Sequence, residues 1–249
     1  MKLLIDFGNT RLKWALLGGG GLRPGGVFAH RDRNLEAALH IEGPERARID
    51  AVLVASVVDD AREAELAALV QARFRVRAQF LRSPAQGLGI RNAYAEPARL
   101  GIDRFLGLAA LQAARPQAQV LASVGTALTL DALDPAGNHL GGIIVPGLAL
   151  MRGAVHARTA RTRQPGGCFR ELPSNTADGV FAGAVFAAAG AIDRFREVAA
   201  RRLGTMPALF LTGGGVDELM PLLEDAVRMH DLVLRGLAPE RRVGVWHLD

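Results

Sequence analysis

Three glycine-bearing turns each follow a short apolar run: Asp6-Phe7-Gly8-Asn9-Thr10, Ser123-Val124-Gly125-Thr126 and Thr212-Gly213-Gly214-Gly215. A glycine after a strand lets backbone N–H groups approach a phosphate closely, and neighbouring hydroxyls add donors. None of the three is a P-loop, because no Gly-Lys-Ser/Thr is present, and none is a dinucleotide fingerprint. A single turn of this kind is more often a plain turn. Three of them, two related by repetition, point to a nucleotide held between two lobes.

Charged residues near these turns sharpen that reading. Asp6 ends an apolar run, where a carboxylate is costly unless paired or used. It either holds Mg²⁺, which takes one or two carboxylates plus phosphate oxygens, or caps the turn amides. Lys13, one of two lysines among 30 basic residues, either reaches a phosphate as a point charge or is a solvated surface lysine. Asp103-Arg104 falls in the first turn of a helix predicted over 101–114, where the dipole favours a carboxylate. Capping is one reading of Asp103. The other is a general base beside a guanidinium that grips a carboxylate substrate. Asn175-Thr176 opens a later helix, with Thr176 as its cap.

Other candidates are weaker. His30, His40, His139, His156, His230 and His247 show no metal-type spacing. Cys168 has no histidine near it in sequence, so all seven are read as non-catalytic. Met151 to Arg163 carries four arginines after a Pro-Gly turn and reads as a solvated helix face or an anion-binding segment.

The elements that must position these groups follow from hydrophobic pattern. Strands are predicted over 3–5, 12–17, 27–29, 51–58 and 75–81. Helices are predicted over 35–40, 59–73 and 101–114. Gly18 to Gly26, with six glycines and one proline, reads as a loop. Ser83 to Pro97 reads as irregular. The pattern then restarts: strands over 120–123, 127–133 and 139–145, a hairpin turn over 134–138, a helix over 177–203, a strand over 208–212, a glycine turn and further helices. Leu3 to Thr10 overlies Val120 to Ala127, with Gly8 on Gly125 and Asp6 on Ser123 at a spacing of 117 residues. A single duplication of this length predicts two similar domains, 1–115 and 116–249, facing each other.

Composition sets the limits. The chain has 249 residues, 49% hydrophobic and 22% charged. It is too apolar for a disordered chain, and its one cysteine cannot form a disulfide within the chain. The net charge is +5, but the arginines are scattered and mixed with acids instead of forming a basic stripe. An aromatic content of 5% also leaves little for bases to stack on. Nucleic acid is therefore not an expected partner. No run of about 18 apolar residues suggests a membrane helix. Asp6 interrupts the N-terminal apolar run, unlike a signal peptide. The expectation is a soluble, cytoplasmic protein.

With these motifs assembled, the chain resembles the type III pantothenate kinases, also known as the Bvg accessory factor family. Asp6-Phe7-Gly8-Asn9-Thr10-Arg11-Leu12-Lys13 is similar to their opening phosphate motif, and Ser56-Val57-Val58 to the next strand. The stretch from Tyr94 through Pro97, Gly101-Ile102-Asp103-Arg104 and Phe105 resembles their substrate motif. Gly125 to Asp131 and Gly141 to Leu148 match the second phosphate region, and Asn175-Thr176 with Gly183 a later helix. The resemblance implies an α/β fold of two duplicated ribonuclease-H-like (actin-like ATPase) domains with a central cleft. It implies ATP-dependent phosphorylation of pantothenate to 4'-phosphopantothenate, the first step of coenzyme A biosynthesis, by a homodimer. On this resemblance Asp103 is the general base and Asp6 holds Mg²⁺. Gly8, Asn9, Thr10, Lys13, Gly125 and Thr126 cradle the triphosphate. Tyr94, Gly101, Ile102, Arg104 and Thr176 seat the pantothenate. The family usually has an aspartate at the position of Ser123, where it binds an activating K⁺ or NH₄⁺. A serine there implies a weakened or rebuilt cation site. Another small-molecule kinase of the same fold, or a non-enzymatic transcription accessory factor, are the competing readings.

Overall fold

The computed structural model describes residues 1–29, 35–39, 41, 48–159 and 166–238. His30, His40, His247, Arg161 and Arg163 lie outside the described residues. The chain divides into two compact units, Met1–Arg115 with Asp231–Asp249, and Pro116–His230.

The first unit runs β1 (Lys2–Phe7), β2 (Arg11–Gly18), β3 (Gly21–Ala29), α1 (Leu35–Ala38), β4 (Ala51–Ser56), α2 (Asp60–Phe74), β5 (Ala78–Leu81), the short hairpin β6 (Gln86–Gly87) and β7 (Ile90–Arg91), and α3 (Ile102–Ala114). Its main sheet has the order β3-β2-β1-β4-β5. β1 pairs antiparallel with β2 and parallel with β4. As the central strand β1 is covered on both faces, which is why Leu3, Leu4 and Ile5 are all fully buried and the strand is a continuous apolar run.

The second unit runs β8 (Gln119–Val124), β9 (Ala127–Leu133), β10 (His139–Pro146), α4 (Leu148–Arg158), α5 (Thr176–Leu203), β11 (Ala208–Thr212), α6 (Val216–Leu219) and β12 (Val227–Arg228). Its sheet has the order β10-β9-β8-β11-β12. β8 pairs antiparallel with β9 and parallel with β11. Order and strand sense repeat the first sheet, so each unit is ribonuclease-H-like and the fold is duplicated. α5 is long and apolar enough to cross a bilayer by length and composition. Its Ala182, Val185, Ala188, Ala189 and Ile192 side chains instead pack into the core with β8, β9 and β11.

Four details differ from the sequence reading, each for a physical reason. First, the glycine-rich stretch is not all loop, since Gly21–Ala29 forms edge strand β3. A Cβ on Gly25 would lie 2.0 Å from the Trp14 ring, so the glycines make room for that indole. Trp14 in turn donates its Nε1–H to the Ala38 carbonyl at 3.0 Å. Pro24 is tolerated because β3 is an edge.

Second, the ungapped overlay of the two turns is off by one. Gly8 N–H donates to the Arg11 carbonyl, but Gly125 N–H donates to the Ala127 carbonyl, both at 3.0 Å. The second turn is one residue shorter, so Thr126 stands where Thr10 does. Third, the segment from Asp231 belongs with the first unit, where a split after residue 115 places it in the second. Helix α7 (Leu232–Leu237) packs on α3. A Cβ on Gly236 would lie 2.4 Å from the Leu106 carbonyl oxygen, which shows how closely the two helices meet. Fourth, Asn175 and not Thr176 caps α5, accepting from the Asp178 N–H at 2.9 Å.

His139 is structural. Its Nε2 lies 2.9 Å from Asp131 Oδ1, with both side chains essentially inaccessible. Removing Asp131 deletes a hydrogen bond in the core. Asp131→Ala is expected to lower unfolding stability by about 1–3 kcal/mol, measured by urea denaturation. A loss below about 1 kcal/mol would show that the pair contributes little.

Candidate active site

In the first unit the site is built on the end of β1. β2 returns antiparallel, so Lys13 stands opposite Asp6, while β4 sets Ala55 on the other side. Gly8 closes the turn by its own backbone hydrogen bond to Arg11. Asn9 ties the turn to the neighbouring strand end, donating Nδ2–H to the Val57 carbonyl at 3.2 Å.

Asp6 is a strongly perturbed acid. Burial chiefly pushes its pKa up, from 3.8 to about 7, against the opposing pull of Lys13. The carboxylates of Asp103 and Asp231 raise it further. A carboxylate held in that field has a strong demand for a cation. The structure therefore brings Asp6, Lys13 and Asp103 into one electrostatic neighbourhood, although Asp103 lies far along the chain. It adds Asp231, which no motif singled out. Asp231 reaches the site because it precedes α7, and α7 packs against β1 and β4. No local sequence signal could have placed it there.

Asp103 sits in the first turn of α3, but Gly101 is the helix cap. The Asp103 carboxylate lies against that glycine: a Cβ on Gly101 would come 2.6 Å from Oδ1. Oδ1 also accepts the Arg104 N–H at 2.8 Å. Arg104 is buried, donates to the Tyr94 hydroxyl at 3.0 Å and lies 5.8 Å from the Tyr94 ring centroid. Tyr94 and Arg104 are thus one assembly, brought together by a contact that the motif alone does not show. Ile102 is buried, so it shapes the wall of the turn.

In the second unit the end of β8 carries Ser123, Gly125 and Thr126. Two other glycine segments converge on it. A Cβ on Gly147 would lie 2.2 Å from the Gly125 carbonyl oxygen, and one on Gly213, at φ +108°, 2.3 Å from that of Val124. Gly147 N–H donates to the Thr126 carbonyl at 3.0 Å and Gly215 N–H to that of Val124 at 3.1 Å. The sequence showed these glycines without showing that they pack on one strand end. Ser123 is flanked in register by Thr129 and Thr212. The row Thr129–Ser123–Thr212 takes the place that Lys13–Asp6–Ala55 fills in the first sheet. Thr176 opens α5 and, with Met151 and Val155 of α4, lines a mostly apolar groove of about 490 Å³.

Among the described residues no group of three or more His, Cys, Asp or Glu side chains could hold a metal by itself. Asp6 suits Mg²⁺, which needs only one or two carboxylates when phosphate oxygens supply other positions. Ser123 offers a cation only neutral oxygen.

Comparison with known proteins agrees with these motifs. The family model for type III pantothenate kinase matches residues 2–198. A type III pantothenate kinase of Xanthomonas axonopodis pv. citri is 42% identical over 236 residues, covering 94% of this chain and 95% of the relative. One from Nitrosospira multiformis is 37% identical over 238 residues, covering 95% and 89%. Among solved structures, a protein named for the Baf family of transcriptional activators, from Campylobacter jejuni, shares the fold with a TM-score of 0.60 at 21% identity, covering 94% of each chain. A protein named as a 2-dehydro-3-deoxygalactonokinase, from Sinorhizobium meliloti, does so with a TM-score of 0.58 at 14% identity, covering 100% of this chain and 98% of that one. The duplicated sheets, the Asp6 and Asp103-Arg104 motifs in their expected order and identity along nearly the whole length lead to one assignment: this chain is a kinase and belongs to the type III pantothenate kinase family.

Proposed function

We propose that the protein transfers the γ-phosphoryl group of ATP to the primary hydroxyl of pantothenate, giving 4'-phosphopantothenate for coenzyme A synthesis. The observation that carries the residue assignment is the grouping of Asp6, Lys13 and Asp103 near the end of β1, with Arg104 next to Asp103 on α3 and Tyr94 held by the Arg104 guanidinium. Phosphoryl transfer depends mainly on positioning and charge neutralisation. Asp103 takes the proton from the attacking hydroxyl. Arg104, Tyr94, Gly101, Ile102 and Thr176 seat the acceptor. Gly8, Asn9, Thr10 and Lys13 of the first unit, with Gly125 and Thr126 of the second, contact the phosphates. Asp6 would hold Mg²⁺, which when bound neutralises charge on the β- and γ-phosphates. The active species is proposed to be a cytoplasmic homodimer.

The test is a coupled kinase assay on pantothenate with a panel of nucleotides and cations. Turnover with ATP is expected; turnover of a sugar but not pantothenate would overturn the reading. The same assay tests Ser123. With a neutral hydroxyl in place of a carboxylate, activation by KCl or NH₄Cl is expected to be weak at constant ionic strength set by a bulky organic cation. Strong activation at low millimolar concentration would show that neutral oxygens rebuild the cation site.

Gly101→Ala probes the position of the base. The new Cβ would collide with the Asp103 carboxylate and with nothing rigid. Stability should therefore hold, while turnover falls by roughly 10–10². Unchanged turnover with an unchanged melting temperature would mean that the carboxylate position is not critical.

A further inference from the structure

The first unit contains a polar chamber of about 340 Å³ beside the Asp103 turn. Its wall includes Gly101 and Ile102 together with Ser56, Asp60, Glu63 and Arg82. Ser56 ends β4 directly beside Phe7 of β1. It is one residue beyond the partner of Asp6 and borders the turn that carries Asp103. Its side chain is 6% exposed, and its Oγ has no hydrogen-bond partner. A second hydroxyl on the wall, Ser83 Oγ, is by contrast satisfied, donating to the Leu100 carbonyl at 2.8 Å.

Buried hydroxyls are nearly always paired, so an orphan next to a cavity calls for an explanation. A buried hydroxyl without a partner is a net cost, because the group has left water and gained nothing. A ligand atom that meets it converts the cost into affinity. Ser56 itself lines the chamber, and the staggered wells of χ1 are the freedom by which its Oγ would meet such an atom.

The charges of the wall say what kind of atom that is. Arg82 is held by Glu63 at 2.7 Å and Arg99, also on the wall, by Glu96 at 2.8 Å, while Asp60 adds a negative charge, so both cations are compensated and the wall does not call for a further anion. A neutral polar group with hydrogen-bonding capacity is the fitting occupant. We infer that Ser56 is an acceptor-binding residue that hydrogen-bonds a neutral polar group, an amide or a secondary hydroxyl, of the acceptor whose primary hydroxyl faces Asp103. This rests on the pantothenate kinase reading, since pantothenate carries both groups.

The experiment compares the wild type with Ser56→Ala and Ser56→Thr. Steady-state kinetics with pantothenate and ATP are combined with the melting temperature with and without pantothenate. For Ser56→Ala the KM for pantothenate is expected to rise about three- to tenfold. The kcat and the KM for ATP should stay within about twofold of wild type. The free protein should melt no lower than wild type, and the upward shift caused by pantothenate should shrink. Ser56→Thr, which keeps a hydroxyl, should bind pantothenate better than Ser56→Ala. An unchanged KM and an unchanged pantothenate shift in Ser56→Ala would overturn the inference while leaving the kinase reading intact. A lower melting temperature with a loss confined to kcat would overturn it too, since that marks a structural role. Failure of the wild type to phosphorylate pantothenate would overturn both.

Discussion

Asp103→Asn is expected to reduce turnover of pantothenate by roughly 10²–10⁴, the usual contribution of a positioned general base. The substitution keeps the size of the side chain and an oxygen able to accept from the Arg104 N–H, the bond seen at 2.8 Å. The first turn of α3 should therefore persist, with an unchanged melting temperature and circular dichroism spectrum. What is lost is the ability to take a proton. KM for ATP should change little, because that residue is assigned to the acceptor. A variant with wild-type turnover would remove Asp103 from the mechanism. A variant that loses activity only by unfolding would leave its role as base without support.

Asp6→Asn should have two effects of opposite sign. Activity should fall by roughly 10² or more, because a charge-neutralising partner of the phosphates loses its holder. The metal-free protein should nevertheless become more stable at neutral and alkaline pH. The sign follows from the proton balance. Burial raises the Asp6 pKa in the folded protein from 3.8 to about 7. Between those values the folded state holds a proton that the unfolded chain has released. Stability therefore falls as pH rises through this window, and the whole penalty is present above pH 7. A shift of that size corresponds to about 4 kcal/mol. Asparagine carries no charge at any pH and removes the penalty. Melting temperatures of both proteins from pH 4 to 8, with a chelator present, test this. The wild type should lose stability relative to Asp6→Asn as pH rises, and parallel curves would show that burial of the Asp6 charge is not costly.

Most strands and helices could be read locally. The apolar runs of β1, β4 and β8 and the turn at Asp134 lie in contiguous residues whose pattern expresses burial on one or both faces, whereas the cap of α5 was displaced by one residue. Duplication was legible for the same reason: strand, glycine turn and strand recur with the spacing of β1 and β8. The turn itself was misread by one residue, since a shorter loop leaves the flanking apolar pattern intact. β3 was partly missed because its glycines answer to the Trp14 ring, a contact across strands that composition does not reveal.

Local order therefore established the elements, the duplication and the residue types able to do the chemistry. Proximity was another matter. Asp6 and Asp103 repel each other only because β1, β4 and α3 pack in one unit. Asp231 joins them only because the chain returns from the second unit to lay α7 on α3. The unpaired Ser56 hydroxyl and the crowding of Gly147 and Gly213 on the end of β8 likewise appear only once the chain has folded. Periodicity reports which face of an element avoids water. Fields, orphaned hydrogen bonds and close backbone approach depend on distances between elements, and those arise only when the sheets assemble.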